Sequence, residues 1–397
     1  MSYKIGIAAD MGDLLVQLDA FLAVGHTLEP MYDTLSDGEI ENMIGATGSV
    51  LETITVKFTG ANSFTVVGSE SGSIGTGTVG TPFVSTKVCF EITPGSTPFS
   101  IDDTIEFVMT PPWKRLRAIN IGSVTDEYIW CAPGNDGESE IFVGMLRFEN
   151  ANADYDNVRL GGFTGYSPAE TFLNQPGPCT RPVMPGLRIG DIPYWFIANG
   201  RRVMVFIKCT SVYAGAYLGF INQYWRPEQW PYPLAVGGSM SWANEPAVNS
   251  TNWRYSYQGN EHNLIVFANM QAVSPTNENS FTLRLRRPDG RWRGFGIYNA
   301  TYASLLTSAY VWPYNGGRFS NVRPNLDGEY SLFPVNLSED DSGTTHPAQF
   351  GEMDGIFAVT GYENAAENII TVGRTKYLVM QNAYRTTYAD FCAIKLS

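Results

Sequence analysis

Apolar positions along this chain alternate with polar ones over short stretches much more often than they recur at helical spacing. The exception lies near the start. Leu14, Leu15, Leu18, Phe21 and Leu22 fall on one helical face, with Asp10 or Asp13 placed to cap the first turn and Gly25 to end the helix, which predicts a helix over 12–24 packed on a sheet. From Leu51 onward the pattern predicts strands. Ile54–Phe58, Ser63–Val67, Lys87–Ile92 and Thr104–Val108 carry β-type composition, and Glu127–Cys131, Glu140–Phe148, Asn157–Leu160, Leu264–Phe267, Ile356–Val359, Ile369–Val372, Tyr377–Met380 and Tyr388–Ile394 continue it.

Two hairpins are legible in more detail. Ile192–Ala198 and Val203–Ile207 flank Asn199-Gly200, a pair suited to the positive φ angles of a type I′ turn. That turn would set Ala198 opposite Arg201, Phe196 opposite Val203 and Tyr194 opposite Val205. Both faces are apolar, so these strands are expected to be central and covered on both sides. The second hairpin runs from Phe281-Thr-Leu-Arg-Leu-Arg-Arg287 through Pro288-Asp-Gly290 into Arg291-Trp-Arg-Gly-Phe295. Its turn sequence favours a type I turn with a glycine bulge. Phe281, Leu283, Leu285, Phe295, Ile297 and Arg293 would then share one face, and Arg284, Arg286 and Trp292 the other, within cation–π range. The glycine-rich stretch 71–81 lacks the Gly-Lys-Ser/Thr ending of a phosphate loop, and a flexible connection between strands is expected there.

Composition strengthens the β reading. Among 397 residues there are 40 Gly and 23 Pro, with aromatics at 13%, which suits many strands joined by turns. The expected architecture is mainly β: a β-sandwich or barrel-like main domain with an N-terminal helix and a smaller β-rich inserted or N-terminal domain. Charge divides the chain further. Residues 1–110 hold 14 acidic and 3 basic side chains, and the first arginine is Arg115. We therefore expect a helix-containing segment at 1–50, an acidic β-rich inserted domain at 51–110 and a Trp/Tyr/Arg-rich main domain at 111–397, meeting near Pro111-Pro112-Trp113.

A net charge of −13 disfavours nonspecific attraction to nucleic acid or anionic membrane, and no apolar run approaches the ~20 residues of a membrane-spanning helix. Asp10, Asp13 and Asp19 interrupt the first 22 residues, so a secretory signal is not expected. Cys89, Cys131, Cys179, Cys209 and Cys392 are scattered, without a Cys-x-x-Cys. Free thiols are expected, and no metal or other cofactor.

Candidate chemistry is sparse. Three histidines, none in a nucleophile motif, leave no basis for a Ser-His triad or a histidine-ligated metal. Paired carboxylates could hydrolyse glycosides, and Asp154/Asp156, Glu352/Asp354 and Glu138/Glu140 are spaced to share a strand face, but a chain with 39 acids makes such pairs by accident. Trp225, Trp230, Tyr232, Trp312 and Tyr314 lie among prolines and glycines. They either seal the ends of sheets or stand in loops where flat rings stack on sugars. Five arginines within 284–293 face two prospects, a solvated surface or an anionic partner. For the partner, Arg284, Arg286, Trp292 and Arg293 are the candidate contacts, with the acidic 1–110 region of another copy or an adjacent protein opposite them.

Several stretches carry a resemblance. They are Tyr3-Lys-Ile-Gly-Ile-Ala-Ala-Asp10 with its helix, Glu140–Gly144, Pro193–Arg202, Tyr217–Ile221, Gln229–Leu234 with Gly237-Gly-Ser239, Trp312-Pro-Tyr314, Leu326–Tyr330, Gly351-Glu-Met-Asp-Gly355 and Leu378–Asn382. In these the chain resembles a family of virion structural proteins found with the tail genes of tailed bacteriophages. The likeness covers the start and most of 113–397, and 51–110 reads as an insertion. It implies a non-enzymatic component of the phage tail, at the baseplate or tail tip, made in the host cytoplasm, present in several copies and contacting other tail proteins. The alternatives it leaves are a receptor-binding tail protein that recognises a host surface glycan, and a polysaccharide-degrading tail hydrolase.

Overall fold

The structure, a computed structural model, describes residues 1–120, 126–151, 155–241, 282–295, 309–312, 329–339, 348–381 and 391–396. Over these residues the chain is mainly β, with several antiparallel sheets and one α-helix, Met11–Leu22, near the N-terminus. Among the described residues no sheet closes into a barrel. The strand expected at Leu264–Phe267 lies outside the described residues, as do Phe281, Ile297, Tyr314 and Asp154.

A seven-stranded sheet forms the middle layer. Its order is Ser2–Ala8, Ile192–Ala198, Arg202–Cys209, Val212–Phe220, Leu234–Gly237, Leu283–Arg286 and Trp292–Phe295. One face carries Tyr194, Phe196, Val205 and Leu218, buried against the helix and a six-stranded sheet built from Lys114–Asn120, Asp126–Ala132, Ile141–Asn150, Tyr155–Phe163, Pro182–Gly186 and Met240–Ser241. The other face carries Trp195, Ile197, Met204 and Phe206, buried against Val335, Leu337, Ile356 and Met380 of a second seven-stranded sheet. Strand side chains alternate between faces, so a strand buried on both sides must be apolar throughout. Every residue of Val212–Phe220 is buried. Each large apolar side chain fully withdrawn from water contributes about 1.5–3 kcal/mol, which makes this middle layer the main source of stability.

A separate core lies within residues 40–109. Phe58, Phe64, Phe90, Phe99 and Phe107 pack between a six-stranded and a three-stranded sheet, and the Phe58 and Phe99 rings stack with centroids 3.8 Å apart. Strands before residue 51 take part in both sheets: Glu39–Gly45 pairs with Val88–Thr93, and Met31–Asp33 pairs with Thr104–Thr110. The stretch expected as a flexible glycine-rich connection is instead a strand, Gly72–Thr78, paired with Ser63–Gly68. Its glycines make room for rings. A Cβ on Gly77 would stand 2.4 Å from Phe64, and one on Gly75 would stand 3.3 Å from Phe83.

The helix is capped as its sequence indicates, with the Asp13 N–H donating to Asp10 Oδ1 at 2.8 Å. It ends at Ala23, before Gly25. Gly25 has another function: a Cβ there would stand 2.4 Å from Ser49 and 2.8 Å from the Thr110 carbonyl.

The central hairpin differs from its expected register by two residues. Ala198 faces Val203, Phe196 faces Val205 and Tyr194 faces Ile207. The Asn199 N–H donates to the Arg202 carbonyl at 3.1 Å, so Gly200-Arg201 forms the tip. Neither Asn199 nor Gly200 takes positive φ. The Asn199 side chain makes the turn by accepting from the N–H groups of Arg201 and Arg202 at 2.8 and 3.0 Å, an Asx-type closure that removes the need for a type I′ backbone. Because the shift is even, each residue keeps the face expected of it.

Candidate functional site

The arginine hairpin folds in the register read from its sequence. Leu283 pairs with Phe295, Leu285 with Arg293 and Arg286 with Trp292, and Gly290 takes φ +82° at the turn. Its charges are met from within the chain. Arg293 Nε lies 3.0 Å and Arg287 Nη1 3.3 Å from Glu339, while Asp289 in the turn itself pairs with Arg287 and Arg291 at 3.0 and 2.8 Å. Arg284 is only 6% exposed, and burial lowers its guanidinium below the ordinary value. It is therefore out of reach of a docking protein. The Arg286 guanidinium sits 5.5 Å over the Tyr232 ring, and the Trp292 indole N–H donates to the Gly177 carbonyl at 3.1 Å.

The aromatic candidates separate into two kinds. Trp230 is buried, its N–H bonded to the Arg286 carbonyl at 3.0 Å. Tyr232 is half-buried and bridges strands, accepting from the Phe142 N–H at 3.0 Å and donating to the Phe163 carbonyl at 2.8 Å. These two seal the sheet ends. Trp312 belongs to the strand Ala309–Trp312, its backbone opposite Asn336. Trp225 is 39% exposed, yet its indole N–H is held by the Gln349 carbonyl at 3.0 Å. Next to it, the Tyr224 hydroxyl bonds Asn336 and the Glu352 carboxylate at 2.5 and 2.6 Å.

Asp156 and Asp354, from two of the three carboxylate pairs, are bound into the framework. Burial pushes the Asp156 carboxyl up to about 6 while Arg147 pulls it the other way, and Arg147 grips it through Nε and Nη2 at 3.0 and 2.8 Å. Burial alone would raise the Asp354 carboxyl, but Arg202 and Arg201, with Asn199, hold it below its usual range. Arg202 Nε lies 3.2 Å from it. Glu138 and Glu140 are exposed. All five cysteines are free, and burial raises the Cys209 thiol to about 12. Among the described residues no group of three His, Cys, Asp or Glu side chains could hold a metal ion.

Trp225 opens onto a cleft of 460 Å³ where loops from two layers meet. One wall is the turn containing Asn135, Asp136 and Ser139. The facing wall brings Asn222, Gln223 and Trp225 with Pro227, Pro231 and Pro233, and Arg201 stands at the tip of the central hairpin. The walls meet closely because Gly200 has no side chain: a Cβ there would be 2.1 Å from the Gly134 carbonyl. Asp136 is occupied, accepting from the N–H groups of Glu138 and Ser139 and from the Ser139 hydroxyl, each at 3.0 Å. Arg201 Nη2 donates to the Ile221 carbonyl at 2.5 Å and to Asn222 Oδ1 at 3.3 Å. Three buried side-chain atoms of the lining, Asn135 Oδ1, Arg201 Nε and Gln223 Oε1, have no hydrogen-bond partner in the protein. Of this cleft, sequence reasoning picked out Trp225 alone. The Pro133–Gly137 turn is visible in the sequence as a turn, and nothing in it signals what faces it.

No family model matches the chain, and no curated protein matches it. Among solved structures, a crystal structure of FlgL from Xanthomonas campestris aligns at 16% identity over 22% of this chain and 29% of that one. The TM-score is 0.18, and the likeness carries no argument about fold or function.

Proposed function

We propose that this chain is a structural component of a bacteriophage tail, at the baseplate or tail tip, and that it acts through protein–protein contacts of a preformed β framework in several copies. The observation that carries the reading is the outer edge of the middle sheet. Among the described residues, Ser2–Ala8 pairs with Ile192–Ala198 and ends the sheet on that side. It presents Ile5 and Ile7 at 54% and 63% exposure. An edge strand with outward isoleucines is a surface that soluble proteins ordinarily blunt with charge, and an apolar patch of this kind suits burial against a neighbouring subunit. The segment Tyr3–Asp10, where the resemblance to tail proteins begins, runs along this strand as far as Ala8 and ends at the helix cap. The carboxylates that a hydrolase would use are occupied in Asp156 and Asp354, which favours a framework over an enzyme.

The test has two arms. Mass spectrometry of purified particles should find the chain at several copies per virion, and Ile5→Asp with Ile7→Asp should reduce the oligomer seen by light scattering and exclude the chain from particles. Absence of the parent chain from mature particles, or an unaltered oligomer in the double variant, would overturn the reading.

A further inference from the structure

We propose that the free edge of the middle sheet pairs with the same edge of a second copy, antiparallel about a two-fold axis at Gly6, so that Ile5 of each chain stands opposite Ile7 of the other. This rests on the reading of Ser2–Ala8 as a subunit contact and adds the partner and the register.

The backbone calls for a strand. The Asn199 N–H bonds the Arg202 carbonyl, so along Ile192–Ala198 it is Ile192, Tyr194, Phe196 and Ala198 that turn their N–H and C=O groups the other way. Their partners there are Ala8, Gly6, Lys4 and Ser2. The backbone groups of Tyr3, Ile5 and Ile7 therefore point out of the sheet, where among the described residues no strand pairs with them. The Ile7 carbonyl accepts from Gln17 at 3.4 Å, a long bond that an added strand would improve on. Polar groups at this spacing are met by another extended backbone.

The side chains behind the edge are apolar and lead to a second edge. Cross-strand neighbours share a face, and Ile5 lies opposite Trp195, which belongs to the core beneath the second seven-stranded sheet. That sheet ends in Ile369–Val372, where Ile369, 49% exposed, pairs with Leu378 of the same core. Both edges lie at one end of the sandwich: Tyr3 bonds Asn42, and Lys376, on the strand next to Ile369–Val372, pairs with the adjacent Glu41. Ile5, Ile7 and Ile369 thus rim the open mouth of one core.

Charge and register point to a second copy. Chains of charge −13 can approach one another only through a face whose carboxylates are answered. Here Glu39 and Glu41 pair with Lys376, Glu367 pairs with Lys208, and Asp13 accepts from the Ala9 N–H and from Gln17. The strand Glu39–Gly45 already reaches Ser2 and Tyr3 through Met43 and Asn42, which leaves Lys4–Ala8 open, and Gly6 is the middle of that stretch. A centre at Gly6 sets the outward groups of Ile5 and Ile7 against each other on both sides of the axis, giving about four backbone hydrogen bonds and apolar cross-strand pairs. Lys4, the one charged residue of the strand, then meets Ala8 of the second copy and not its own counterpart.

Sedimentation of the full chain over a range of concentrations should show a monomer–dimer equilibrium. The dimer should tighten by at least about threefold between about 0.1 M and 1 M sodium chloride, as the screening length falls from about 10 Å to about 3 Å; a contact between arginines and carboxylates would weaken instead. Register is read by oxidative cross-linking. Directly opposed Cα atoms in such a pair lie about 5.5 Å apart, within disulfide reach, and diagonal neighbours lie about 7–8 Å apart, outside it. A mixture of Ile5→Cys and Ile7→Cys should therefore give a disulfide-linked dimer that neither variant gives alone, with the parent and its five free thiols as background. A monomer at every concentration, as an edge kept for a different protein would give, a dimer weakened by salt, or equal cross-linking in either variant alone would overturn the proposal. A dimer that links in another register but is lost in the Ile5→Asp, Ile7→Asp variant rejects this pairing and leaves the edge as a subunit contact, whereas an unaltered oligomer in that variant rejects the underlying reading.

Discussion

Asn199 Nδ2 donates to the Asp354 carboxylate across 2.9 Å, joining residues 155 positions apart in sequence and two different sheets in space. The same Asn199 side chain accepts from the Arg201 and Arg202 N–H groups, and Arg202, fully buried, pairs with the same carboxylate. One amide therefore closes the turn and satisfies a buried charge. Asn199→Ala removes all three bonds and leaves buried groups unmet, with an expected loss of about 3 kcal/mol read by urea unfolding. A loss below about 1 kcal/mol would mean that the bridge is incidental to stability.

Gly200 separates two explanations of the hairpin tip. Were positive φ the reason for glycine here, Gly200→Asn would be tolerated. The structure instead requires space, since any Cβ meets the Gly134 carbonyl at 2.1 Å. Gly200→Asn and Gly200→Ala should both cost about 1–3 kcal/mol, measured by thermal melts. Both should also widen the Trp225 cleft, seen as altered Trp225 side-chain resonances. A neutral Gly200→Asn would restore the type I′ account.

What the sequence made legible was local. Continuous apolar runs at Ile192–Ala198 and Val203–Ile207 showed a strand pair buried on both faces, because two-sided burial leaves no place for alternation. The register of Leu283–Arg286 against Trp292–Phe295 followed from Pro288-Asp-Gly290. In the central hairpin the same logic missed by two residues, because Asn199 closes the turn with its side chain. Partners distant in sequence were not legible. Glu339 answers Arg287 and Arg293 from another sheet, and no spacing rule signals that encounter. The cleft is assembled from three separate segments, so its polar wall could be read only from the fold.

His26 should impart an acid sensitivity. It is fully buried against the Phe21 ring, with centroids 5.0 Å apart, and both ring nitrogens lack partners. Burial, then the nearby Arg202 charge, lowers its pKa to about 3, against about 6.5 in an unfolded chain. Between those values the unfolded state binds the extra proton, so stability falls as pH drops below about 6.5 and levels off only near 3. From pH 7 to pH 5 the parent should lose about 2 kcal/mol more than His26→Phe, by urea unfolding at each pH. Parallel losses in the two proteins would show that another group controls the acid limb.

Arg147 and Asp156 test the cost of a buried ion pair. Asp156 is fully buried and gripped by two guanidinium nitrogens, and Asp126 adds a third contact to Arg147 at 3.0 Å. Arg147→Met strands the carboxylate in the interior, an expected loss of about 3–5 kcal/mol near neutral pH. With the guanidinium gone, the Asp156 pKa rises further above its unfolded value, so the folded variant takes up a proton. Its deficit against the parent should then be largest at pH 7 and shrink toward pH 5, where the unfolded chain still keeps the group ionised. Arg147→Met combined with Asp156→Leu removes the stranded charge and should recover most of the loss. If the double variant is no more stable than the single one, the pair holds the Ile141–Asn150 and Tyr155–Phe163 strands in register by geometry that apolar packing cannot replace.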